Sequence, residues 1–577
     1  MYSRYYQNEL QKLRNLAKEF AEAHPAAAPM LASESVDPDV ERLLEGTAFL
    51  TGHLQQKIDD DFPEIVHGLM DVVFPHYLRP VPSVSIVSFT PGPSVRETVR
   101  VPEGTYLTAK EKEGVKCMFK TAADLEVHPL SLISASTRAV AKEYSISLSL
   151  RLSALSLEQW QPDRIPFFLS GPYAAAADLF GCLTRFLSGI RLVCSGSGKE
   201  YRIPCSCLKA FGLDKDHSLF SYPANSFSGF SLFQEYFIFP QKFLFFELSG
   251  LENWDRKGED GQQFDVIFEF DEPSFDLPRV SKNNFTLFSV PVVNVFQHEA
   301  DPAVVDHTKE KIRVRPSSKT GTGYDIYSVD KVTGFVQGSV RPVEYIPMDF
   351  YSSGSEDRSY FKMIRSVSPV TNTYEVFLAL ACSGNKPKPA RETLSIELTC
   401  TNGSLPEKLM PGDICLHTSN SPELLEFSNI TAPTPSVPPP LDGDILWRLI
   451  SHMSLNLSTL ADTESIQQIL RLYIFPESRD KAGVAANLKR IQGISDFCME
   501  NEDRLIRGMV VRGEKITLTV NKEYFASMGD VLIFGSVMDE FFSRYASINS
   551  YSRLIVYETT SGETFSWEPR TGRRKLK

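Results

Sequence analysis

The chain has 577 residues, of which 42% are hydrophobic and 23% are charged, and its formal net charge at pH 7 is -12. These proportions are typical of a globular protein with several buried cores, and the acidic balance argues against a broad nucleic-acid-binding surface. Because no run reaches the roughly 18 apolar residues that a membrane-spanning helix needs, we expect no direct membrane insertion.

Residues 1–80 are predicted to be helical. In the first helix, apolar side chains recur at spacings of four and three residues, which predicts a coiled-coil seam about two heptads long. The pair His24-Pro25 is expected to end this helix, because a residue that precedes proline disfavours the helical conformation. The seam consists of Tyr6, Leu10, Leu13, Ala17 and Phe20.

A second helix is predicted to begin at Asp37-Pro38, an N-cap followed by proline at the first helical position. A third is predicted to begin at Asp61-Phe62-Pro63 and to end at Pro75. The pattern favours equally a bundle closed within the chain and a bundle shared between chains. The apolar stripe of the second helix consists of Val40, Leu43, Thr47, Leu50, Leu54 and Ile58.

From about residue 81 to residue 428, apolar and polar residues alternate, which predicts antiparallel sheets with one face in water. We expect sandwich-like or barrel-like units, divided into a first β-rich domain at 81–290 and a second at 291–428. One helical interruption is predicted at 176–187. The clearest alternation places Ile146, Leu148, Leu150 and Leu152 on one face of a strand.

A proline-rich segment at 429–441 is predicted to be a semi-rigid linker. It would lead to a C-terminal α+β domain at 442–577, with helices, a strand at 516–520 and a final hairpin that turns at Ser561-Gly562. The predicted fold class is therefore multidomain α+β: an N-terminal helical segment, a β-rich middle and an α+β C-terminal domain. The helices of the last domain are predicted near 445–459, 465–473, 481–490 and 530–545.

Four features of the sequence superficially resemble functional sites, and each has a simpler structural interpretation. The segment 195–200 lacks the glycine and the hydroxyl that a phosphate loop needs, so we predict a surface turn. Cys205 and Cys207 lack the paired spacing of zinc sites, and we expect small buried side chains on a strand. The acids at 59–61 are interpreted as helix termini, and His76 as a hydrogen-bonding core histidine.

No other catalytic signature is present in the sequence. The nine cysteines are scattered without a regular framework, which favours reduced thiols in the cytosol. We therefore predict no catalytic, cofactor-binding or metal-binding residues and no cofactor. A structural or binding protein is favoured over an enzyme.

Both ends of the chain resemble one known family. Near the N-terminus stand DPDVERLLEGTAFLTGHLQQKIDDDFPEI and FPHYLRPVPS; near the C-terminus stand RGEKITLTV, GDVLIFGSVMDEFFSRYASINSYSRL and WEPRTGRRKL, in that order. These segments resemble TssF, a baseplate subunit of the bacterial type VI secretion system. The strong matches cover about a third of the chain, and the β-rich middle is compatible only in length and class. Glu568 stands where the family usually has a second proline.

The resemblance implies a non-enzymatic subunit of a baseplate wedge. In this family, two TssF copies associate with one TssG around the central spike, and the wedge engages TssE, which starts the contractile sheath, and TssK, which links to the membrane complex. The implied partners are thus TssG, a second copy of the chain, TssE and TssK through the wedge, and spike or hub proteins. The implied location is the cytoplasm, docked on the inner-membrane complex through partner proteins.

In the related wedge proteins of contractile phage tails, helices of paired subunits form a shared bundle. The resemblance therefore favours a shared bundle here and a C-terminal domain that joins TssF copies. The alternative function, a cytosolic hydrolase or glycan-binding protein with a cleft in the β-rich domains, would need carboxylates that folding brings together. The interface candidates are Tyr6, Leu10, Leu13, Phe20, Val40, Leu43, Leu50, Leu54, Tyr545 and Asn549.

Overall fold

The structure, a computed structural model, describes most of the chain. The described residues are 2–23, 38–74, 76–140, 143–153, 155–213, 217–222, 228–273, 275, 277–306, 308–318, 323–336, 341–348, 359–368, 373–382, 391–441, 462–476, 478–506, 509–546 and 550–572. Within them lie seven α-helices: α1 Tyr2–Ala23, α2 Pro38–Val73, α3 Tyr173–Gly181, α4 Ser228–Ile238, α5 Thr463–Leu472, α6 Lys481–Gln492 and α7 Met528–Tyr545.

The strands of the first half are β1 Val84–Pro91, β2 Val99–Val101, β3 Tyr106–Ala109, β4 Met118–Thr121, β5 Leu125–Val127, β6 Leu130–Val140, β7 Glu143–Leu152, β8 Ile165–Leu169, β9 Leu187–Cys194, β10 Glu200–Ile203, β11 Leu208–Phe211, β12 Phe245–Leu248, β13 Gln263–Phe270, β14 Phe285–Leu287 and β15 Ser289–Val293. Those of the second half are β16 Phe296–Glu299, β17 Ala303–Val305, β18 Ile312–Arg313, β19 Asp325–Val336, β20 Val343–Pro347, β21 Ser359–Val367, β22 Tyr374–Cys382, β23 Glu392–Thr401, β24 Ile414–Leu416, β25 Leu425–Asn429, β26 Ile494–Ile506, β27 Met509–Val520, β28 Tyr551–Glu558, β29 Thr564–Ser566 and β30 Arg570–Thr571.

The N-terminal region contains one long helix where two were predicted. The first helix ends at Ala23 as expected, but α2 runs without interruption from Pro38 to Val73. The predicted break at Asp61-Phe62-Pro63 is therefore wrong. An interior proline removes one backbone hydrogen bond and costs about 3 kcal/mol, which a helix of 36 residues can tolerate. The prediction failed because the sequence Asp61-Phe62-Pro63 fits the start of a helix as well as its interior.

The β-rich middle is confirmed, and its alternation has the expected cause. The four apolar residues from Ile146 to Leu152 are all buried, while the serines between them lie half-buried on the other face of β7. This strand belongs to a five-stranded sheet in the order β10-β9-β13-β7-β6. The predicted helical interruption is also present, as α3 followed by a π-helical turn at Cys182–Phe186.

The middle of the chain contains one unit inserted into another. A six-stranded sheet in the order β24-β3-β4-β15-β1-β25 combines strands from before and after an eight-stranded sheet formed by β16 to β23. We call residues 296–401, which span the eight-stranded sheet, the inserted unit. The predicted boundary at 290/291 thus falls within β15, and the predicted second domain also contains β24 and β25, which belong to the six-stranded sheet.

The proline-rich segment lies alongside β1 rather than bridging a gap. The Val84 and Ile86 amides donate to the hydroxyl oxygens of Thr434 (2.9 Å) and Thr431 (3.0 Å). Val437 forms backbone hydrogen bonds in both directions with Val81, at 2.8 and 2.9 Å. These bonds hold the segment at several points along its length.

The C-terminal region is α+β, as expected. Strand β27 pairs antiparallel with β26 and parallel with β28, and α7 connects the two parallel strands. The predicted helices at 465–473, 481–490 and 530–545 correspond to α5, α6 and α7, and the final hairpin turns at Ser561-Gly562. The helix predicted at 445–459 lies outside the described residues.

Helix α7 is buried along almost its whole length, as expected of a helix enclosed by other elements. At its N-terminal end, the fully buried Asp530 carboxylate lies 2.8 Å from Arg490 Nε of α6. The same carboxylate accepts hydrogen bonds from the Tyr173 hydroxyl (2.8 Å), the Tyr236 hydroxyl (3.3 Å) and the Ala526 amide (3.0 Å). One carboxylate therefore links α3, α4, α6 and α7.

The backbone of α7 approaches that of α3 at Gly529. A Cβ atom at this position would lie 1.9 Å from the Ala177 carbonyl oxygen, far inside van der Waals contact. The close approach also allows the Gly529 amide to donate to Asp178 Oδ1 at 2.9 Å. Only glycine permits this packing.

We expect Gly529→Ala to destabilise the chain by about 3 kcal/mol or more, because the methyl group would force two backbones apart in a packed core. Gly46→Ala is the matched control: no atom lies within 4 Å of its Cβ position, so it should stabilise α2 by about 0.5–1 kcal/mol. Denaturant unfolding of both variants measures the difference. Equal stability of the two variants would contradict the described packing of α7.

Candidate assembly interface

The two N-terminal helices form a hairpin in which α1 packs against α2. The inner face of α2 carries the buried residues Ala48 and Gly52 and the half-buried Leu44, at helical spacing. An ion pair between Arg14 of α1 and Glu41 of α2 joins the helices at one end. The small inner residues let the helices approach closely.

The predicted seam of α1 lies partly against its own chain. Its first four members, Tyr6, Leu10, Leu13 and Ala17, are half-buried, while the fifth, Phe20, is 52% exposed. Most of this seam is thus already engaged by α2. Whether it also contacts a partner stays a prediction.

The predicted stripe of α2 points away from the rest of the chain. Leu43, Leu50 and Leu54, which we call the exposed leucine stripe, are 71%, 63% and 61% exposed. They share one helix face and extend over about 16 Å at 1.5 Å per residue. Since burying one leucine is worth about 1.5–3 kcal/mol, the stripe is a substantial apolar surface. Val40 lies in the same helix, and its side chain is outside the described part of the structure.

The C-terminal candidates are separate from this hairpin. Tyr545 ends α7, is half-buried, and places its ring 5.9 Å from the ring of Phe541. Asn549 lies outside the described residues. Their role in joining copies of the chain therefore remains a prediction.

The C-terminal end of α2 is fixed by a buried ion pair. Arg365 Nη1 donates to both carboxylate oxygens of Asp71, at 2.7 and 2.9 Å, and the Arg365 side chain is only 3% exposed. Arg365 belongs to β21 of the inserted unit. A buried, charge-assisted pair of this kind fixes geometry more strongly than a surface pair.

The turn after α2 contacts the other regions of the chain. Phe74 packs edge-on against Phe230 of α4, with ring centroids 5.6 Å apart. The Tyr77 hydroxyl donates to the Leu472 carbonyl oxygen of α5 at 2.9 Å, and its ring lies 6.0 Å from that of Tyr473. The FPHYLRP motif is thus the joint between the helical hairpin and the rest of the molecule.

His76 lies within this joint and is buried, as predicted for a core histidine. Burial, together with the nearby positive charge of Arg79, lowers its pKa from 6.5 to about 3. The imidazole is therefore neutral at pH 7. It contacts the ring of Tyr222 edge-on at 5.2 Å.

The other sequence motifs have structural explanations. Segment 195–200 is the turn between β9 and β10, where Ser197 donates to Glu259 (2.6 Å) and Lys199 pairs with it (3.1 Å). The expectation that Cys205 and Cys207 lie buried on a strand is wrong: they are half-buried in a 3-10 helix, because Pro204 precedes them and the chain turns there. The side chains of 59–61 lie outside the described residues.

Among the described residues, no three His, Cys, Asp or Glu side chains are grouped as metal ligands. Across the described helices, no stretch combines the length and hydropathy that a membrane crossing requires.

One cavity of about 730 Å³ lies where the ends of β1, β8 and β14 meet. Among the described residues, its lining includes Ser88, Phe168, Tyr173 and Lys282, and contains no Asp, Glu, His or Cys side chain. Glycoside hydrolysis of the usual kind needs a pair of carboxylates, which the described lining of this cavity does not contain.

Comparison with known proteins identifies the family. A family model described as "Type VI secretion system, TssF" matches residues 2–574. The chain belongs to the TssF family. It is similar to the "Type VI secretion system component TssF1" of Pseudomonas aeruginosa, with 28% identity over 621 residues that cover 99% of this chain and 98% of that protein.

Two solved structures contain similar chains. One is the cryo-electron microscopy structure of the type VI secretion system TssK-TssF-TssG baseplate subcomplex, which matches with a TM-score of 0.75 and 27% identity over 92% of this chain and 99% of that chain. The other is the baseplate complex of the type VI secretion system, with a TM-score of 0.64 and 26% identity over 100% of both chains. The TssF resemblance seen at both ends of the sequence therefore extends across the chain.

Sequence reasoning missed the contacts that hold α2 in place. Asp71 and Arg365 are 294 positions apart, and neither stands in a pattern that points to the other. Leu16 and Phe49 are two further exposed apolar residues of the hairpin, at 59% and 52%, that were not among the candidates. They lie off the regular stripes, so periodicity gave no signal for them.

The joint should lose stability in mild acid. His76 has a folded-state pKa below its ordinary value, so its contribution is complete above pH 6.5 and is lost as the pH falls toward 3. Between pH 6 and pH 4 we expect this group to lower the free energy of unfolding by about 1.4 kcal/mol per pH unit.

Denaturant unfolding of the wild type and of His76→Gln across this range measures that slope. The variant should show a shallower pH dependence than the wild type, whatever its stability at pH 7. Identical slopes for the two proteins would exclude the buried, neutral state of His76.

Proposed function

We propose that this protein is a structural subunit of the type VI secretion baseplate wedge, which assembles as a pair with TssG into the platform around the spike on which the contractile sheath is built. The proposal rests on family membership along residues 2–574. The observation that carries it at the residue level is the exposed leucine stripe of α2.

A contact role explains why the hairpin exposes apolar side chains. Three leucines on one helix face remain in water while the opposite face packs on α1. Large apolar side chains that share an exposed face are typical of interaction sites, and a helix face of this kind fits against another helix in a bundle. The exposed leucine stripe is thus the proposed contact with TssG.

The proposed partners differ in their support. A chain similar to this one occurs together with TssK and TssG in a solved baseplate subcomplex, which supports both proteins as partners here. A second copy of the chain, TssE and the spike or hub proteins follow only from the family resemblance. The proposed location is the cytoplasm, at the inner-membrane complex, reached through partner proteins.

We propose further that the protein is not an enzyme. The similar chains belong to baseplate complexes, and the described lining of the 730 Å³ cavity has no carboxylate, imidazole or thiol. Its function would therefore be to bind other proteins, and its surface residues would serve contact rather than catalysis.

The substitutions Leu50→Asp and Leu54→Asp test the proposed interface. Each places a charge on a surface that would be desolvated in the bundle, at a cost of several kcal/mol, so we expect TssG binding to weaken by at least about a hundredfold. Because both side chains are exposed in the chain itself, the variants should unfold at the wild-type temperature. Co-purification with TssG and thermal unfolding give the two readouts.

Glu45→Lys is the matched control, since Glu45 is an exposed residue of α2 outside the leucine stripe and its replacement also changes charge. It should bind TssG like the wild type. Leu10→Asp and Leu13→Asp are less specific tests, because those side chains are half-buried and their loss would also disturb the α1–α2 contact. Wild-type TssG binding by both stripe variants would reject the stripe as the interface.

A further inference from the structure

The inserted unit has a hydrophobic core of its own. Most of its buried apolar residues, from Phe296 to Cys400, form a cluster separate from the main core, which runs from Met70 to Trp567, while Tyr327 of β19 belongs to the main core. A unit with its own core can keep its fold while its orientation changes. The orientation of the inserted unit is therefore fixed by its contacts with the rest of the chain.

One group of contacts lies where the chain enters and leaves the unit. Asn294 and Asn402 stand just outside β16 and β23 and are almost completely buried. The backbone N–H of Asn402 donates to Asn294 Oδ1 at 2.7 Å, and the side-chain Nδ2 of Asn294 donates to Asn402 Oδ1 at 2.8 Å. Asn294 Nδ2 also donates to the Met118 carbonyl oxygen of β4 at 2.7 Å. We call this pair of crossings the asparagine crossing.

The chain enters and leaves the inserted unit at two adjacent crossings, so the unit could rotate about the line that joins them. The asparagine crossing holds the strands together through hydrogen bonds rather than through a wide apolar surface, although Tyr106 and Met118 also pack against the second core there. Interfaces that are small and polar permit relative motion of the units they join. The crossing alone would leave the tilt of the inserted unit poorly determined.

The second group of contacts comes from α2 and the turn after it. Asp71 forms the buried ion pair with Arg365, and Lys362 Nζ lies so close to α2 that a Cβ at Gly68 would be 3.3 Å from it. The Arg79 guanidinium lies over the ring of Tyr327 at 5.2 Å. All three partners of α2 and its turn belong to β19 or β21 of the inserted unit.

We propose that the inserted unit is a separately orientable module, and that α2 is the brace that fixes its orientation through the Asp71–Arg365 ion pair. The asparagine crossing acts as the axis, and the ion pair restrains rotation about it. The exposed leucine stripe lies in the N-terminal half of α2, and Asp71 lies at its C-terminal end. A partner that binds the stripe and displaces α2 would therefore also move the inserted unit. The inference holds whichever partner covers the stripe.

Hydrogen–deuterium exchange of the full chain, followed by mass spectrometry, tests the brace. We expect Asp71→Asn to accelerate exchange at least about tenfold at the asparagine crossing, because loss of one partner from a buried ion pair shifts an equilibrium by more than one order of magnitude. Exchange at the centres of β19 and β23 should stay at the wild-type rate, since the module keeps its own core.

The double variant Asp71→Asn/Arg365→Met separates loss of the brace from the effect of an unpaired buried charge. It should show the same acceleration at the asparagine crossing. Glu375→Gln is the matched control, because the Arg313–Glu375 pair (2.7 Å) lies wholly within the module, and its crossing should exchange like the wild type. Wild-type exchange at the crossing in the double variant, or equal acceleration in β19, β23 and α7, would overturn the proposal.

Discussion

A single buried carboxylate determines how the C-terminal region fits the rest of the molecule. Asp530 is completely buried and meets Arg490, Tyr173 and Tyr236, which come from three different helices. A buried charge is tolerated only where it is paired and hydrogen-bonded, so the partners of Asp530 restrict the position in which α7 can pack. Gly529 makes that position possible by letting the backbones of α7 and α3 touch. The C-terminal region is therefore part of the main core, and the proline-rich segment lies along β1 as part of the same structure.

With the core fixed in this way, α2 can extend from it as a long helix with two different faces. One face packs on α1, and the other exposes Leu43, Leu50 and Leu54. The end of the helix enters the FPHYLRP joint, where Phe74 and Tyr77 contact α4 and α5, and Asp71 reaches the inserted unit. A contact made along the stripe would thus act on a helix that is connected to every other region. This arrangement suits a subunit that must hold several partners in fixed relative positions.

Much of the fold followed from periodicity. Alternation identified the strand that carries Ile146 to Leu152, and helical spacing identified α1. The prediction failed at Pro63, because the residues that start a helix also occur inside one, and at Cys205 and Cys207, because a short turn leaves no period to detect. Domain limits were hard to place for a different reason. The inserted unit lies between β15 and β24, and only strand pairing reveals that these two strands belong to one sheet.

The sequence by itself determined the family, the order of helical and β-rich regions, and which residues carry apolar stripes, because these depend on local spacing and on matched segments. It left open which stripe faces the chain and which faces water. That choice was decided by the tertiary structure, since the burial of Ala48 and Gly52 against α1 leaves the leucines on the outer face. The tertiary structure also decided the ion pair of Asp71 with Arg365 and the surroundings of Asp530, because such contacts join residues far apart in the chain and have no sequence period.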